Sequence, residues 1–316
     1  MVLGIFKIYK KLKMKKKGIL FNILFLFPAL FIYSMFFTYP LLDGFRVTLY
    51  ESKVNFLDTY VGLKNFRLLF LVGTFRDQLF NALKNNFIFI LVSLIGVNIV
   101  ALLIAYILSV KRIKGSETFR NILFVPQILP AITVGFIATL IFNPAIGPYA
   151  KIVEFLHLPP IFSNLLGKTS SSLYVIAFIE IIRLLGFPLI IYFVAINDVQ
   201  EDIIAAAEID GANAFSVFTR IILPIISPIV VMANILMFIG SFIYFDLIYV
   251  MQGDMGSPGY STDVLGTFFY RMAFGKHSGG AQPGIGAVIS LIMLLILAVV
   301  TIVGLYIQRI LRRKVS

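Results

Sequence analysis

The chain of 316 residues has no cysteine, only two histidines and few charges, with 13% of its residues Asp, Glu, Lys or Arg. A soluble globular chain carries about a quarter. The missing cysteine excludes disulfides and thiolate metal sites and leaves the redox compartment unreadable. His157 and His277 fall in expected loops with no acidic cluster around them, which argues against a metal site. No nucleophile–base arrangement is recognisable. Gly167-Lys168-Thr169 has the ending of a phosphate loop, but that motif needs a glycine where Phe162 stands. The chain is therefore expected to perform no covalent chemistry and to hold no metal or cofactor.

What it has instead is apolar length. The chain is 59% hydrophobic, with a mean hydropathy of +0.97. Six stretches reach the roughly 20 apolar residues that a bilayer span needs: about 18–40, 86–110, 121–142, 172–196, 222–249 and 284–308. They are expected to be helices, because a bilayer core offers unpaired backbone groups no water. The barrel alternative would read as short alternating segments. The basic N-terminus followed by an uncharged run from Gly18 to Leu42 reads as an uncleaved first span rather than a signal peptide. The organisation is thus a basic tail, 1–17, and one membrane domain, 18–316. The outer loop 43–84 is expected to form one or two short surface helices.

The net charge of +12 does not point to nucleic acid, because Lys and Arg sit mainly at the ends of apolar runs. Seven lysines crowd the N-terminal tail, and Lys111, Arg112, Lys114, Arg120, Arg220, Arg309, Arg312, Arg313 and Lys314 fall on the same side of the predicted spans. Ten others spread over the longer loops of the opposite side. The positive-inside rule then places both termini in the cytoplasm, with the basic ends against anionic lipid. Charge within a span is costly and usually functional. Glu180 and Arg183 are three residues apart on span 4 and can pair on one face. They suit either a pathway or a structural bridge between spans. Asp246, near the outer end of span 5, suits pathway lining or loop anchoring.

The inside loop 198–220 reads as helix, break, helix. Ala205, Ala206, Ala207, Ala212 and Ala214 favour helix, Gly211 permits a left-handed turn, and Asp210 can cap the second helix. That short helix, from about Ala212, is expected to meet span 5 near Pro224, where proline is tolerated early in a helix. Such a hairpin can dock a partner or lie on the bilayer.

The stretch "AAAEIDGANAFSVFTRIILPIISP" resembles the cytoplasmic signature of permease subunits of binding-protein-dependent ABC importers. That pattern is Glu-Ala-Ala, three residues, Gly, then about nine residues to Ile-x-Leu-Pro. Ala206, Ala207, Asp210, Gly211, Ala212, Ile222, Leu223 and Pro224 match it. Ala205 stands where the family has glutamate, with Glu208 one turn away. "YVGLKNFRLLF", "FRNILFVPQILPAITVGFIATLIFNPAIG" and "FDLIYVMQGDMGSPGYSTDVLGTFFYRMAF" extend the resemblance, most closely to maltose and glycerol-phosphate permeases. The exit motif Gly-Gly-Pro is loosened here to "QGDMGSPG".

The resemblance implies an all-α membrane protein with the six-helix type I importer permease fold. It also implies a cytoplasmic helix–turn–helix (Ala205, Ala206, Ala207, Glu208, Asp210, Gly211, Ala212, with Pro224 behind it) that couples to a separate ATPase. The implied partners are two ATP-binding subunits, a second permease subunit and an extracytoplasmic solute-binding protein. The implied place is the cell membrane and the implied cargo a sugar, or else a polyol or glycerol phosphate. Family substrate contacts lie on spans 4 and 5. Sugars want hydroxyl partners and flat apolar faces, which makes Gly186, Phe187, Tyr192, Ser241, Tyr244, Phe245, Asp246 and Tyr249 the candidates. Aromatic packing or an interfacial belt is the plainer alternative for any one of them. An ion-driven transporter would need acidic sites in broken, repeated helices. Only Glu180 lies deep in a span and no repeat is evident.

Overall fold

A computed structural model describes residues 23–51, 59–110, 115–275 and 281–315. The basic tail 1–17, the start of the first span, Lys111, Arg112, Lys114 and His277 lie outside the described residues. The described chain is almost entirely helical. In order it forms α1 (Ile23–Val47), a two-residue antiparallel pair β1 (Tyr50–Glu51) and β2 (Thr59–Tyr60), α2 (Lys64–Leu71), α3 (Gly73–Val110), α4 (Ser116–Ile128), α5 (Ala131–Ile141) and α6 (Pro148–Phe155). There follow α7 (Ser172–Leu184), α8 (Gly186–Asn197), α9 (Glu201–Ile209), α10 (Ala214–Phe242), α11 (Asp246–Gln252), α12 (Leu265–Phe274) and α13 (Pro283–Val315).

Four helices, α1, α3, α10 and α13, are long and apolar enough to cross a membrane. Two bent pairs, α4–α5 and α7–α8, bring the number to six. Proline shapes several of them. Pro40 and Pro224 each follow a π-helical turn, Ser34–Thr38 and Phe218–Ile222. A proline has no N–H and its ring collides with the carbonyl four residues back; the widened turn moves that carbonyl aside without breaking the helix. Pro130 does break one. Leu129 before it is extended, as the steric clash with a proline ring requires, and α5 leaves α4 at 96°. The α7–α8 bend of 49° precedes Pro188.

The sequence runs differ from these helices in three places. Span 2, expected over 86–110, begins at Gly73, so α3 is 38 residues long. At 1.5 Å per residue it measures roughly 57 Å, far beyond a bilayer core. Its first turns lie beyond the apolar run. The run 222–249 is not one helix: α10 stops at Phe242 and α11 starts at Asp246. No proline causes this. Gly266 lets the first turn of α12 lie against the Tyr244 carbonyl, where a Cβ would come within 2.8 Å of that oxygen. The second helix of the segment 198–220 begins at Ala214 and runs into span 5 as one continuous helix, rather than standing as a separate short helix from Ala212.

The core has two centres. One gathers Leu69, Phe89, Ile176, Leu247, Phe268 and Val288; the other gathers Ala105, Leu189, Tyr192, Ile196, Ile222 and Ile226. Small residues permit the closest crossings, with Gly96 on α3 against Ile181 of α7 and Gly304 on α13 against Ile235 of α10. In the second centre the Tyr192 hydroxyl donates to Asn98 Oδ1 at 2.6 Å, and Asn98 pairs with Asn234. One knot of hydrogen bonds thus joins α8, α3 and α10. Outside these centres the helices present apolar side chains outward, and no residue of α1 is buried.

The end of the molecule that holds residues 253–264 is tied by a buried ion pair. Arg271, 1% exposed, donates from Nη2 to Asp263 Oδ2 at 2.6 Å and from Nη1 to Oδ1 at 3.0 Å; Nη1 also donates to the Asp254 carbonyl at 2.6 Å. Thr267 donates to the same carboxylate. Burial pushes the Asp263 carboxyl above its ordinary range, and Arg271 and Thr267 oppose that. Asn81 and Asn85, on the extended part of α3, donate to the carbonyls of Tyr260 and Asp263. Removing one charge of a buried pair leaves the other uncompensated. Asp263→Asn is therefore expected to cost about 3–5 kcal/mol, read as a fall in thermal stability of the detergent-solubilised protein. Asp263→Asn with Arg271→Met is expected to recover most of it.

Candidate translocation site and coupling segment

Three helix interruptions meet at one cavity. Gln127 comes from the end of α4, Arg183 and Phe187 from the α7–α8 bend, Gly240 and Ser241 from the end of α10, and Tyr244 from the break that follows it. The cavity holds about 250 Å³, with Leu184, Leu236 and Met237 completing its wall. Each interruption frees backbone groups that need partners at membrane depth. The Phe187 N–H, released by the bend, donates to Gln127 Oε1 at 2.8 Å. Gln127 therefore binds the two broken spans to each other.

Glu180 and Arg183 form the expected pair, and it is bidentate. Arg183 Nε donates to Oε2 and Nη2 to Oε1, both at 2.8 Å. Glu180 is fully buried while the Arg183 side chain is 13% exposed at the cavity wall. The Arg183 guanidinium also lies 4.9 Å from the centre of the Tyr244 ring, which stacks on Phe89. The Ser241 and Tyr244 hydroxyls are buried with no hydrogen-bond partner among the described residues. A buried polar group left unpaired costs free energy, and both of these residues line the cavity wall.

The other candidates divide. Phe245 and Tyr249 join Tyr270 in a cluster of rings with centroids 4.7 to 5.3 Å apart, which Phe274 extends. Asp246 is exposed beside it at the start of α11. Gly186 and Tyr192 are elsewhere in the packing. A Cβ on Gly186 would come within 2.6 Å of the Phe124 Cα, so this glycine serves the contact of α8 with α4. Tyr192 is fully buried on Asn98. Sequence reasoning missed Gln127 and Tyr270. Gln127 carried a signal, being an amide between Pro126 and Pro130 in an apolar run. Tyr270 carried none, because Phe245 and Tyr249, which it meets, lie more than 20 positions earlier in the chain.

At the other end of α10, α9 closes in a turn built on Gly211. The Ala212 N–H donates to the Ala207 carbonyl at 2.9 Å and the Gly211 N–H to the Glu208 carbonyl at 3.0 Å, with Gly211 at φ +84°. This is the Schellman arrangement, and its left-handed residue is glycine because a Cβ is strained there. The cap of the next helix is Asn213, whose Oδ1 accepts from the Ser216 N–H at 2.8 Å, and not Asp210, which ends α9. Tyr106 of α3 braces the turn, donating to the Ala214 carbonyl at 2.8 Å. Ala207 and Ala212 face the core, while Ala206 is exposed. Ile209 and Phe215 stand 86% and 75% exposed on either side of Gly211. Ala205 and Glu208 line a cavity of about 580 Å³ between α9 and the ends of α3, α4 and α8.

The matches to known proteins cover nearly the whole chain. The family model described as "Binding-protein-dependent transport system inner membrane component" matches residues 98–316. The trehalose/maltose transport system permease protein MalF of Thermococcus litoralis is 30% identical over 299 residues, covering 94% of this chain and 96% of that protein. The multiple sugar-binding transport system permease protein MsmF of Streptococcus mutans is 27% identical over 290 residues, covering 90% and 94%. A solved bacterial alginate ABC transporter, in complex with an alginate pentasaccharide-bound periplasmic protein, superposes with a TM-score of 0.76 at 20% identity, over 96% of this chain and 97% of that one. At that identity the superposition establishes the fold, the type I importer permease fold. Family match and relatives agree with the broken-helix bundle, and the chain belongs to the binding-protein-dependent transport system inner membrane components.

Proposed function

We propose that this chain lines half of the path of an ATP-driven importer for a sugar or a related polar solute. The convergence of three helix interruptions on one cavity, with an arginine and a glutamine in its wall, carries this reading. Irregular backbone at membrane depth is tolerated where it lines a solute cavity. The sugar class rests on the relatives whose names specify trehalose, maltose and multiple sugars. Phe187 offers the cavity a flat apolar face. The rings of Phe245, Tyr249 and Tyr270, with Asp246 beside them, offer a further approach surface.

In this reading the solute arrives from an extracytoplasmic binding protein, and a second permease subunit supplies the other half of the path. Two ATP-binding subunits do the hydrolysis, one of them gripping residues 198–220. Exposed apolar side chains at a polar end of a membrane protein mark a partner surface, and Ile209 and Phe215 are such a pair. The coupling end and both termini then face the cytoplasm. Ala205 removes the carboxylate that the resembled family places at this position, so the partner must complete the contact without it.

Single cysteines replacing Ile209 or Phe215 are expected to crosslink to a cleft cysteine of the ATP-binding subunit in an ATP-sensitive way. Labelling of both from the lipid phase, with no crosslink, would mean that the hairpin lies on the bilayer. Ser241→Ala removes a buried hydroxyl with no hydrogen-bond partner among the described residues, and Tyr244→Phe removes one that lies beside the Glu180–Arg183 pair. Each is expected to leave thermal stability unchanged and to lower uptake of labelled solute into proteoliposomes of the complete transporter about fivefold, the value of one hydrogen bond. Unchanged uptake in both variants would remove the cavity from the path.

A further inference from the structure

A lone guanidinium facing a cavity at membrane depth attracts anions. Arg183 is not alone. Its Nε and Nη2 are both held by Glu180, while Nη1 is not used by that pair. Arg183 lines the cavity and Glu180, fully buried, does not. The cavity therefore sees hydrogen-bond donors without a net charge. Its other polar residues are neutral as well: Ser241, Tyr244 and Gln127, whose oxygen is taken by the Phe187 N–H.

We propose that Glu180 sets the charge selectivity of this cavity. By holding Arg183 as a neutralised donor, it lets the cavity accept an uncharged, hydroxyl-bearing solute and disfavours a carboxylated or phosphorylated one. The proposal rests on the reading of the cavity as part of the path. A solute hydroxyl can accept from the part of Arg183 that Glu180 does not use, without disturbing the ion pair. An anion competes with Glu180 for the guanidinium, and the displaced carboxylate, with no access to water, has nowhere favourable to go. Arg183 is thus a binding residue and Glu180 a positioning residue that acts through it. A bridge that merely packs α7 would leave selectivity unchanged when removed.

The cysteine-free chain allows a direct test. Gly240 lines the cavity, and nothing lies within 4 Å of a Cβ placed on it. Gly240→Cys therefore provides a reporter whose labelling by a small neutral thiol reagent is slowed by a bound solute. Glucose and glucuronate differ only by a carboxylate in place of a hydroxymethyl group. In the reporter chain, otherwise wild type and assembled with its partners, glucose is expected to protect at about tenfold lower concentration than glucuronate. Adding Glu180→Gln should reverse that order, and adding both Glu180→Gln and Arg183→Gln should restore it with weaker protection overall. Equal protection by the two solutes without Glu180→Gln, or a folded Glu180→Gln chain with an unshifted ratio, would overturn the role of Glu180. If Glu180→Gln does not fold, the starting ratio and the double variant decide. Failure of either solute to protect any chain would overturn the path reading itself, and this inference with it. Glucose protection with an unshifted ratio overturns the inference alone.

Discussion

A peptide group in a bilayer has no water to bond, so every place where a membrane helix breaks must supply its own partners. Much of this structure obeys that constraint. The chain breaks α4–α5 at Pro130, α7–α8 before Pro188, and α10–α11 without proline, and it brings all three breaks to one place. There Gln127 satisfies the N–H that the second break releases. The same interruptions that would be costly against lipid become the wall of a cavity into which Arg183 and Gln127 reach. The ion pair of Glu180 and Arg183 sits beside it under the same rule: two charges that bilayer hydrocarbon would exclude are held because each has the other.

The parts around the cavity are fixed from two sides. Toward one end, Asn98, Tyr192 and Asn234 join three helices through side-chain hydrogen bonds. Toward the other, Asp263, Arg271 and Thr267 lock the chain between α11 and α12, and Asn85 ties that lock to α3. Between lipids that press equally on every apolar face, such polar knots carry the information about which helix belongs beside which. Apolar contact alone is a weak guide there, because lipid chains are as apolar as the side chains they replace.

What could be read from the residues, and what could not, divides along a physical line. Apolar length located the spans, since a long uncharged run is at home in a bilayer and in few other surroundings. Local chemistry located the turn at Gly211, because its left-handed backbone is a property of one residue and its neighbours. The Glu180–Arg183 pair was legible from helical spacing. The break after Phe242 was not, because it packs against Gly266, a residue 24 positions further on whose missing Cβ admits α12 there. The Asn98–Tyr192–Asn234 knot was equally hidden, and Tyr192 read as a pathway aromatic because a sequence cannot say which side of a helix faces a cavity. The cap at Asn213 was mistaken for Asp210 because both are good caps, and only the length of the turn distinguishes them.

The helix α10 runs unbroken from Ala214, beside the Gly211 turn, to Phe242, at the cavity. Its π turn at Phe218–Ile222 lies just before Pro224, and Pro228 falls inside α10, yet the helix is not broken. Ser241 lies 27 residues from Ala214, roughly 40 Å along the axis. A rigid rod pivoting at one end magnifies angle into distance: a tilt of about 5° over that length moves the far end by about 3.5 Å. That is enough to carry a hydroxyl into or out of hydrogen-bonding range. In the proposed assembly, a pull on Phe215 would be felt at Ser241 through a single lever, with no relay of side chains in between.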